Sequence, residues 1–156
     1  MSSGSQSETP PKSPEETLTL RGKPEAPQIS FLLVDDNYIN LKVLSTYMKK
    51  RNIGYKEAKN GKEAVDFFLA NPGAYACILM DISMPVMDGF EATRQIRAHE
   101  AQMGLNPVPI IALSGLATED AQQEAFGSGM DVFLTKPVKL GALGNLLESH
   151  GILNSG

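Results

Sequence analysis

Ala74-Tyr75-Ala76-Cys77-Ile78-Leu79-Met80-Asp81-Ile82-Ser83-Met84-Pro85-Val86-Met87-Asp88-Gly89 is a stretch in which an apolar run ends abruptly in a carboxylate. Ala76 to Met80 show no polar alternation, so they read as a strand buried on both faces, as the central strands of a parallel sheet are. Asp81 then stands at the carboxyl end of that strand. In open α/β sheets ligands bind outside the carboxyl ends of the strands, which makes Asp81 a functional candidate by position alone. A strand-end Asp can equally do no more than cap a turn, so its reading depends on what the rest of the chain brings to the same edge.

Working outward, the pattern recurs. Ile29, Phe31, Leu32, Leu33 and Val34 form another apolar strand, closed by Asp35-Asp36-Asn37. Tyr38 to Arg51 carries Ile39, Val43 and Tyr47 on one face with Leu41, Leu44 and Met48 beside them, which predicts a helix with a broad apolar stripe. Its last turn, Lys49-Lys50-Arg51, complements the helix dipole. Tyr55 to Ala58 reads as a short strand, Asn60-Gly61 as a turn and helix start, and Ala64, Val65, Phe68 and Leu69 as a helix stopped by Asn71-Pro72-Gly73.

Beyond Gly89, Phe90, Thr93, Ile96 and Arg97 predict a helix that fades by Gly104. Pro109 to Leu113 is a fourth apolar strand, closed by Ser114-Gly115. Thr118 is the expected N-cap of a helix that runs to Phe126 and is ended by Gly127 and Gly129. Asp131 to Thr135 is the fifth strand, followed by Lys136-Pro137. Leu140, Leu143 and Leu147 mark a last helix, weakened locally by Gly141 and Gly144. Five β-α units in succession predict an α/β fold with a parallel sheet, right-handed crossovers and helices on both faces. The alternation leaves strand order open.

The chain has 156 residues, 42% of them hydrophobic, enough for one domain with a real core. Residues 1–27, rich in Ser, Pro and Glu, read as a disordered leader or linker, 28–150 as the domain and 151–156 as a C-terminal tail. Thr9-Pro10 and Ser13-Pro14 in the leader are the kind of dipeptide that disordered tails commonly carry. A net charge of −4 and the lack of a basic stripe argue against nucleic-acid binding. Cys77 is the only cysteine, so no disulfide framework or thiolate metal site is available, and it reads as a small buried hydrophobe in a reducing compartment. No apolar run approaches the roughly 20 residues needed to span a bilayer. A soluble, cytoplasmic protein is expected.

In a parallel sheet the strand ends share one edge, so Asp35, Asp36, Asp81, the Ser114 hydroxyl and the Lys136 ammonium converge in one crevice. Three carboxylates that close together raise one another's pKa and call for compensation. A hard divalent cation supplies it, and an all-oxygen set favours Mg²⁺, with Mn²⁺ possible. His99 and His150 fall on predicted helices and are expected to be exposed, so they offer no zinc site. A metal-adjacent Asp beside a Lys and a hydroxyl suits phosphoryl transfer onto the carboxylate.

Asp35-Asp36-Asn37, Met80 through Gly89, Ile110-Ile111-Ala112-Leu113-Ser114 and Phe133-Leu134-Thr135-Lys136-Pro137 resemble, in order and spacing, the receiver domain of two-component response regulators. The resemblance covers about residues 29 to 150 and is greatest to receivers of eukaryotic, fungal-type hybrid histidine kinases. It implies a flavodoxin-like, doubly wound (βα)5 fold with strand order 2-1-3-4-5. It makes Asp81 the phosphoacceptor. It makes Asp36 and Asp81 direct Mg²⁺ ligands, joined by the Ser83 backbone carbonyl, with Asp35 acting through water. Ser114 and Lys136 would bind phosphoryl oxygens, and Phe133 would be the aromatic switch that responds with Ser114. Ser83 and Leu116 would border the path of a hydrolytic water. The implied donor is a phosphohistidine on a histidine kinase or a histidine-phosphotransfer protein, docking near the first helix, with the chain itself a monomer or weak dimer.

Ser114-Gly115 stands where Thr-Ala is commoner, and Gly115 is expected to loosen that loop. By pattern alone Phe133 is a core residue and Lys136 a solvated cation. Met84, Val86 and Met87 serve either as a partner surface or as loop packing. Two rivals are weaker. A haloacid dehalogenase-type phosphatase wants a second Asp two residues after the nucleophile, where this chain has Ser83. A docking-only receiver would not need the intact set of acids, hydroxyl and Lys.

Overall fold

Strands without polar alternation need cover on both faces, and the structure supplies it. The computed structural model describes residues 30–153. The leader, with Thr9-Pro10 and Ser13-Pro14, lies outside the described residues. Strands and helices alternate as β1 (Ser30–Val34), α1 (Tyr38–Lys50), β2 (Gly54–Ala58), α2 (Gly61–Ala70), β3 (Cys77–Asp81), α3 (Gly89–Met103), β4 (Ile110–Ser114), α4 (Glu119–Ser128), β5 (Val132–Thr135) and α5 (Leu140–Ser149), with a short 3-10 turn at Pro72–Ala74. All pairings are parallel. The sheet order is β2-β1-β3-β4-β5, the flavodoxin-like arrangement.

Because successive strand residues face opposite sides, each central strand feeds two cores. Leu32, Val34, Ile78, Met80, Ile110 and Ala112 point to the side covered by α2, α3 and α4, where they meet Val65, Phe68, Ile96 and Ala125. Phe31, Leu33, Leu79, Ile111 and Leu113 point to the side of α1 and α5, against Leu41, Leu44, Met48, Leu143 and Leu147. These strand residues are almost completely enclosed. Truncating one of the Leu, Ile, Met or Phe residues among them to Ala removes about 2–5 kcal/mol of stability.

The packing corrects several expectations. In α1, Leu41, Leu44, Tyr47 and Met48 are buried, but Ile39 and Val43 are exposed. A helix on one sheet face hides only part of so wide a stripe, and these two fall on the outward flank. Helix α4 passes through Gly127 to Ser128 and ends at Gly129, whose φ of 111° makes it the left-handed cap. His99 is half-buried, its ring perpendicular to that of Phe68. Cys77 opens β3 rather than sitting mid-strand, and burial, helped by Asp131, pushes its thiol pKa up. Gly144 lets α5 close on α1, since a Cβ there would lie 2.8 Å from the Tyr47 hydroxyl oxygen.

The packed body runs past residue 150. Ile152 and Leu153, expected in the tail, donate their N–H groups to the Leu147 carbonyl, and Leu153 is buried in the α1–α5 core. No helix among the described residues is long and apolar enough to cross a membrane.

Register sets the site. Val34 pairs with Met80, Asp81 with Leu113 and Ser114 with Thr135, so the residues that close β1, β3, β4 and β5 share one edge. Four of the five helices that start from that edge are capped by side chains: Asn37 for α1, Asn60 for α2, Asp88 for α3 and Thr118 for α4.

Candidate functional site

At this edge Lys136 reaches back from the end of β5 between two acids. Its Nζ lies 3.1 Å from Asp35 Oδ2 and 3.0 Å from Asp81 Oδ1. Asp35, Asp36 and Asp81 each offer a carboxylate oxygen within 4.8 Å of the others. Asp35 is fully buried and accepts from the Asn37 N–H at 2.9 Å and from Asn40 Nδ2 at 3.2 Å. Asp36 is exposed and has no such partner among the described residues. Asp81 accepts a longer bond, 3.3 Å, from the Ser83 N–H.

Burial first, then the neighbouring Asp35 charge, raises the Asp81 carboxyl to about 6 against the opposing pull of Lys136 and the Ser83 N–H. Burial works to lower the Lys136 pKa, but Asp81 and Asp35 outweigh it and the ammonium is held above its ordinary value. Three carboxylates thus face one ammonium. The donors are all oxygens, closely spaced, and the charged form of one of them is disfavoured by burial and by the carboxylate beside it. Such a set fits a hard divalent cation of the Mg²⁺ type.

The other candidate residues lie on the strand ends and loops of the same edge. Ser114 is buried, and its Oγ donates to the Leu116 carbonyl at 2.9 Å while accepting from the Leu116 N–H at 3.0 Å. The hydroxyl is therefore closed on its own loop and must release Leu116 to serve an oxygen in the pocket. Gly115 does not use a left-handed φ, and a Cβ there would meet nothing within 4 Å. Phe133 is half-buried, packed against the core on the α2–α4 side of the sheet. Lys136 is half-buried and held by two ion pairs rather than a freely solvated cation. Leu116 and Ser83 are both exposed. Met84 and Met87 pack on the core, whereas Val86 points out, 81% exposed.

Asn40 is a contributor that the sequence reading missed. One turn into α1, it places an amide on Asp35, and an Asn on the flank of an apolar stripe was the available signal. Beside it lies a cavity of about 90 Å³ between α1 and the segment after β5, with Asp35, Asn40, Val43, Lys136 and Pro137 in its wall.

A family model described as the response regulator receiver domain matches residues 31–148. The chain belongs to the response regulator receiver domain family. Over 137 residues it is 38% identical to the peroxide stress-activated histidine kinase mak1 of Schizosaccharomyces pombe, covering 87% of this chain and 8% of that protein. Among solved structures, the Saccharomyces cerevisiae Ssk1 receiver domain, co-crystallised with the histidine phosphotransfer protein Ypd1, is 37% identical, with a TM-score of 0.74 over 83% of this chain and 94% of that one. The receiver domain of a Pseudomonas aeruginosa sensor histidine kinase, solved with a magnesium ion in its active-site cleft, is 34% identical, with a TM-score of 0.68 over 78% of this chain and 96% of that one. The chain spans between 5% and 29% of the length of eight of the curated relatives it matches. The relatives include hybrid histidine kinases and SSK1-type response regulators.

Proposed function

We propose that this receiver takes a phosphoryl group from a phosphohistidine onto Asp81 and changes conformation in response. The observation that carries the reading is the Lys136 ammonium held between Asp35 and Asp81 with Asp36 beside them. A carboxylate oxygen of Asp81 attacks phosphorus, an O–P bond forms, the N–P bond of the donor breaks and its electron pair returns to the imidazole. With a pKa of about 6, Asp81 is mostly ionised and nucleophilic at neutral pH. Lys136, paired with Asp35 and Asp81, then receives phosphoryl oxygens, a role its two ion pairs at the acceptor support. Ser114 exchanges its Leu116 partner for a phosphoryl oxygen, and Phe133 turns toward the space that Ser114 vacates.

Asp36 and Asp81, with the Ser83 backbone carbonyl and with Asp35 through a water, would hold Mg²⁺ or Mn²⁺, which supplies charge neutralisation to the transferring group. Self-catalysed phosphorylation and dephosphorylation then need no further enzyme domain in this chain.

For the donor, the exposed Tyr38, Ile39 and Val43 on α1 present an apolar patch beside the pocket. Such a patch suits the apolar face of a helix, and the Ssk1 receiver was crystallised with a histidine phosphotransfer protein. We read the partner as such a protein or a histidine kinase, in the cytoplasm, with this chain part of a hybrid kinase or of a separate regulator.

The test is direct. Incubated with a phosphohistidine or small phosphodonor and Mg²⁺, the protein is expected to gain an acid-stable, base-labile acyl phosphate, and Asp81→Asn to gain none. Full labelling of that variant would mean another residue is the acceptor.

A further inference from the structure

The loop between β3 and α3 carries Ser83 yet holds a conformation it would not choose alone. Val86 has a φ of 72°, and the Met87 N–H donates to the Pro85 carbonyl at 2.8 Å, closing a three-residue γ-turn. A β-branched residue at positive φ is an outlier that persists only where the surroundings enforce it. Two glycines provide the enforcement. The Gly89 N–H donates to the Ile82 carbonyl at 2.9 Å, and the Gly61 N–H donates to the Met87 carbonyl at 2.9 Å. A Cβ on Gly61 would lie 2.5 Å from the Met87 carbonyl oxygen and 2.9 Å from that of Asp88, both backbone atoms that cannot swing aside.

Gly61 is itself firmly placed. Asn60 Oδ1 accepts from the Glu63 N–H at 2.9 Å, and Glu63 Oε1 accepts from the Lys59 N–H at 2.8 Å, a reciprocal cap on the first turn of α2. One residue earlier, the Ala58 carbonyl accepts from the Asp35 N–H at 3.1 Å. Residues 58–61 therefore touch both loops of the acid pocket, through Asp35 on one side and Met87 on the other, while contributing no side chain to it.

We propose that the β2–α2 junction sets the spacing between the Asp35-Asp36 loop and the Ser83 loop, and that Gly61 is the positioning residue that presents the Ser83 carbonyl to a divalent cation. The proposal rests on the reading of the acid pocket as an Mg²⁺ site. Contacts that only orient metal ligands are commonly worth roughly 10–100-fold in affinity.

Calorimetric titration of the full chain with Mg²⁺, well below the melting temperature of each variant, tests it. Gly61→Ala is expected to weaken Mg²⁺ by roughly tenfold or more while the far-UV spectrum is retained. Asn60→Ala, which only loosens the cap, is expected to shift affinity less, in the same direction. Gly141→Ala, where a Cβ meets nothing within 4 Å, is expected to leave affinity unchanged. A folded Gly61→Ala with a lower melting temperature but wild-type affinity would overturn the proposal, because a merely structural glycine behaves that way. If Gly61→Ala does not fold, unchanged affinity in Asn60→Ala overturns it instead. A wild type that does not bind Mg²⁺ would sink the acid-pocket reading itself.

Discussion

Two charged clusters sit at opposite edges of the same sheet, and they are balanced differently. At the carboxyl edge three carboxylates share the Lys136 ammonium, and Asp81 is pushed up to about 6. At the amino edge Arg97 donates to Glu100 Oε1 at 2.7 Å, to Asp131 Oδ2 at 2.9 Å and to the Gly129 carbonyl at 2.9 Å. Glu100 Oε2 accepts from the Val108 N–H at 2.7 Å, and Asp131 Oδ2 also accepts from the Ile110 N–H at 2.8 Å. The second cluster is a clasp joining α3 to the starts of β4 and β5. The first holds charge that the protein leaves uncompensated. Similar residue types thus do different work, and the difference lies in the ratio of charges: three carboxylates share one ammonium at the carboxyl edge, whereas two share a guanidinium and two backbone N–H groups at the amino edge.

The comparison breaks most visibly in stability. Glu100→Ala strips Arg97 and the Val108 N–H of a buried partner, and a loss of about 3–5 kcal/mol is expected, with acyl-phosphate formation at Asp81 retained below the lowered melting temperature. Denaturant titration measures the loss. Equal damage to phosphorylation would show that the clasp serves the site.

Asp81→Asn is expected to do the reverse, stabilising the metal-free protein by about 2 kcal/mol because it removes a buried, crowded charge. The gain should shrink in excess Mg²⁺. The pH dependence follows from the same shift. In the folded protein Asp81 titrates near 6, above its ordinary 3.8, so the folded state binds more protons between those values. Its contribution is fully present below about pH 4 and is lost as pH rises through 6. Wild type without metal should therefore lose stability relative to Asp81→Asn across that window. Parallel stability curves for the two would remove the argument.

Kinetic effects are smaller. Leu116 is 66% exposed and has no side-chain donor or acceptor, and on the reading proposed above it and the short Ser83 border the path of the hydrolytic water. Slow self-dephosphorylation is expected, and Leu116→Glu should speed it by roughly tenfold, about 1.4 kcal/mol of barrier. Decay of the isolated phosphoprotein in excess Mg²⁺ is the measurement, and unchanged decay would release residue 116 from that role.

The finest distinction lies inside the acid pocket. The oxygens of Asp35 are engaged by Asn37, Asn40 and Lys136, whereas Asp36 is exposed. Asp36→Ala should weaken Mg²⁺ more than Asp35→Ala does, and equal losses by calorimetry would erase the distinction.

Much of this was legible in the chain itself. Strands β1, β3 and β4 have no polar alternation because both their faces are covered, so hydropathy finds them and places Asp35, Asp81 and Ser114 at their ends. The Thr118 cap is equally readable, and so is the end of α3 near Gly104, which the structure makes a left-handed cap with a φ of 68°. Strand order came from resemblance, since alternation alone permits several. What only the tertiary structure decided depends on which atoms meet across the fold. Helical period shows that α1 is apolar over a broad stripe but not that Leu41 and Leu44 turn inward while Ile39 and Val43 face out. Gly61 and Gly144 look in sequence like a turn and a weak spot, yet each marks a contact with a distant segment. The hold of Ser114 on Leu116, the reach of Lys136 between Asp35 and Asp81, and the Arg97 clasp that spans 34 positions to Asp131 are likewise set by packing. Local pattern records which face of an element must be buried. It carries no record of the partner that buries it.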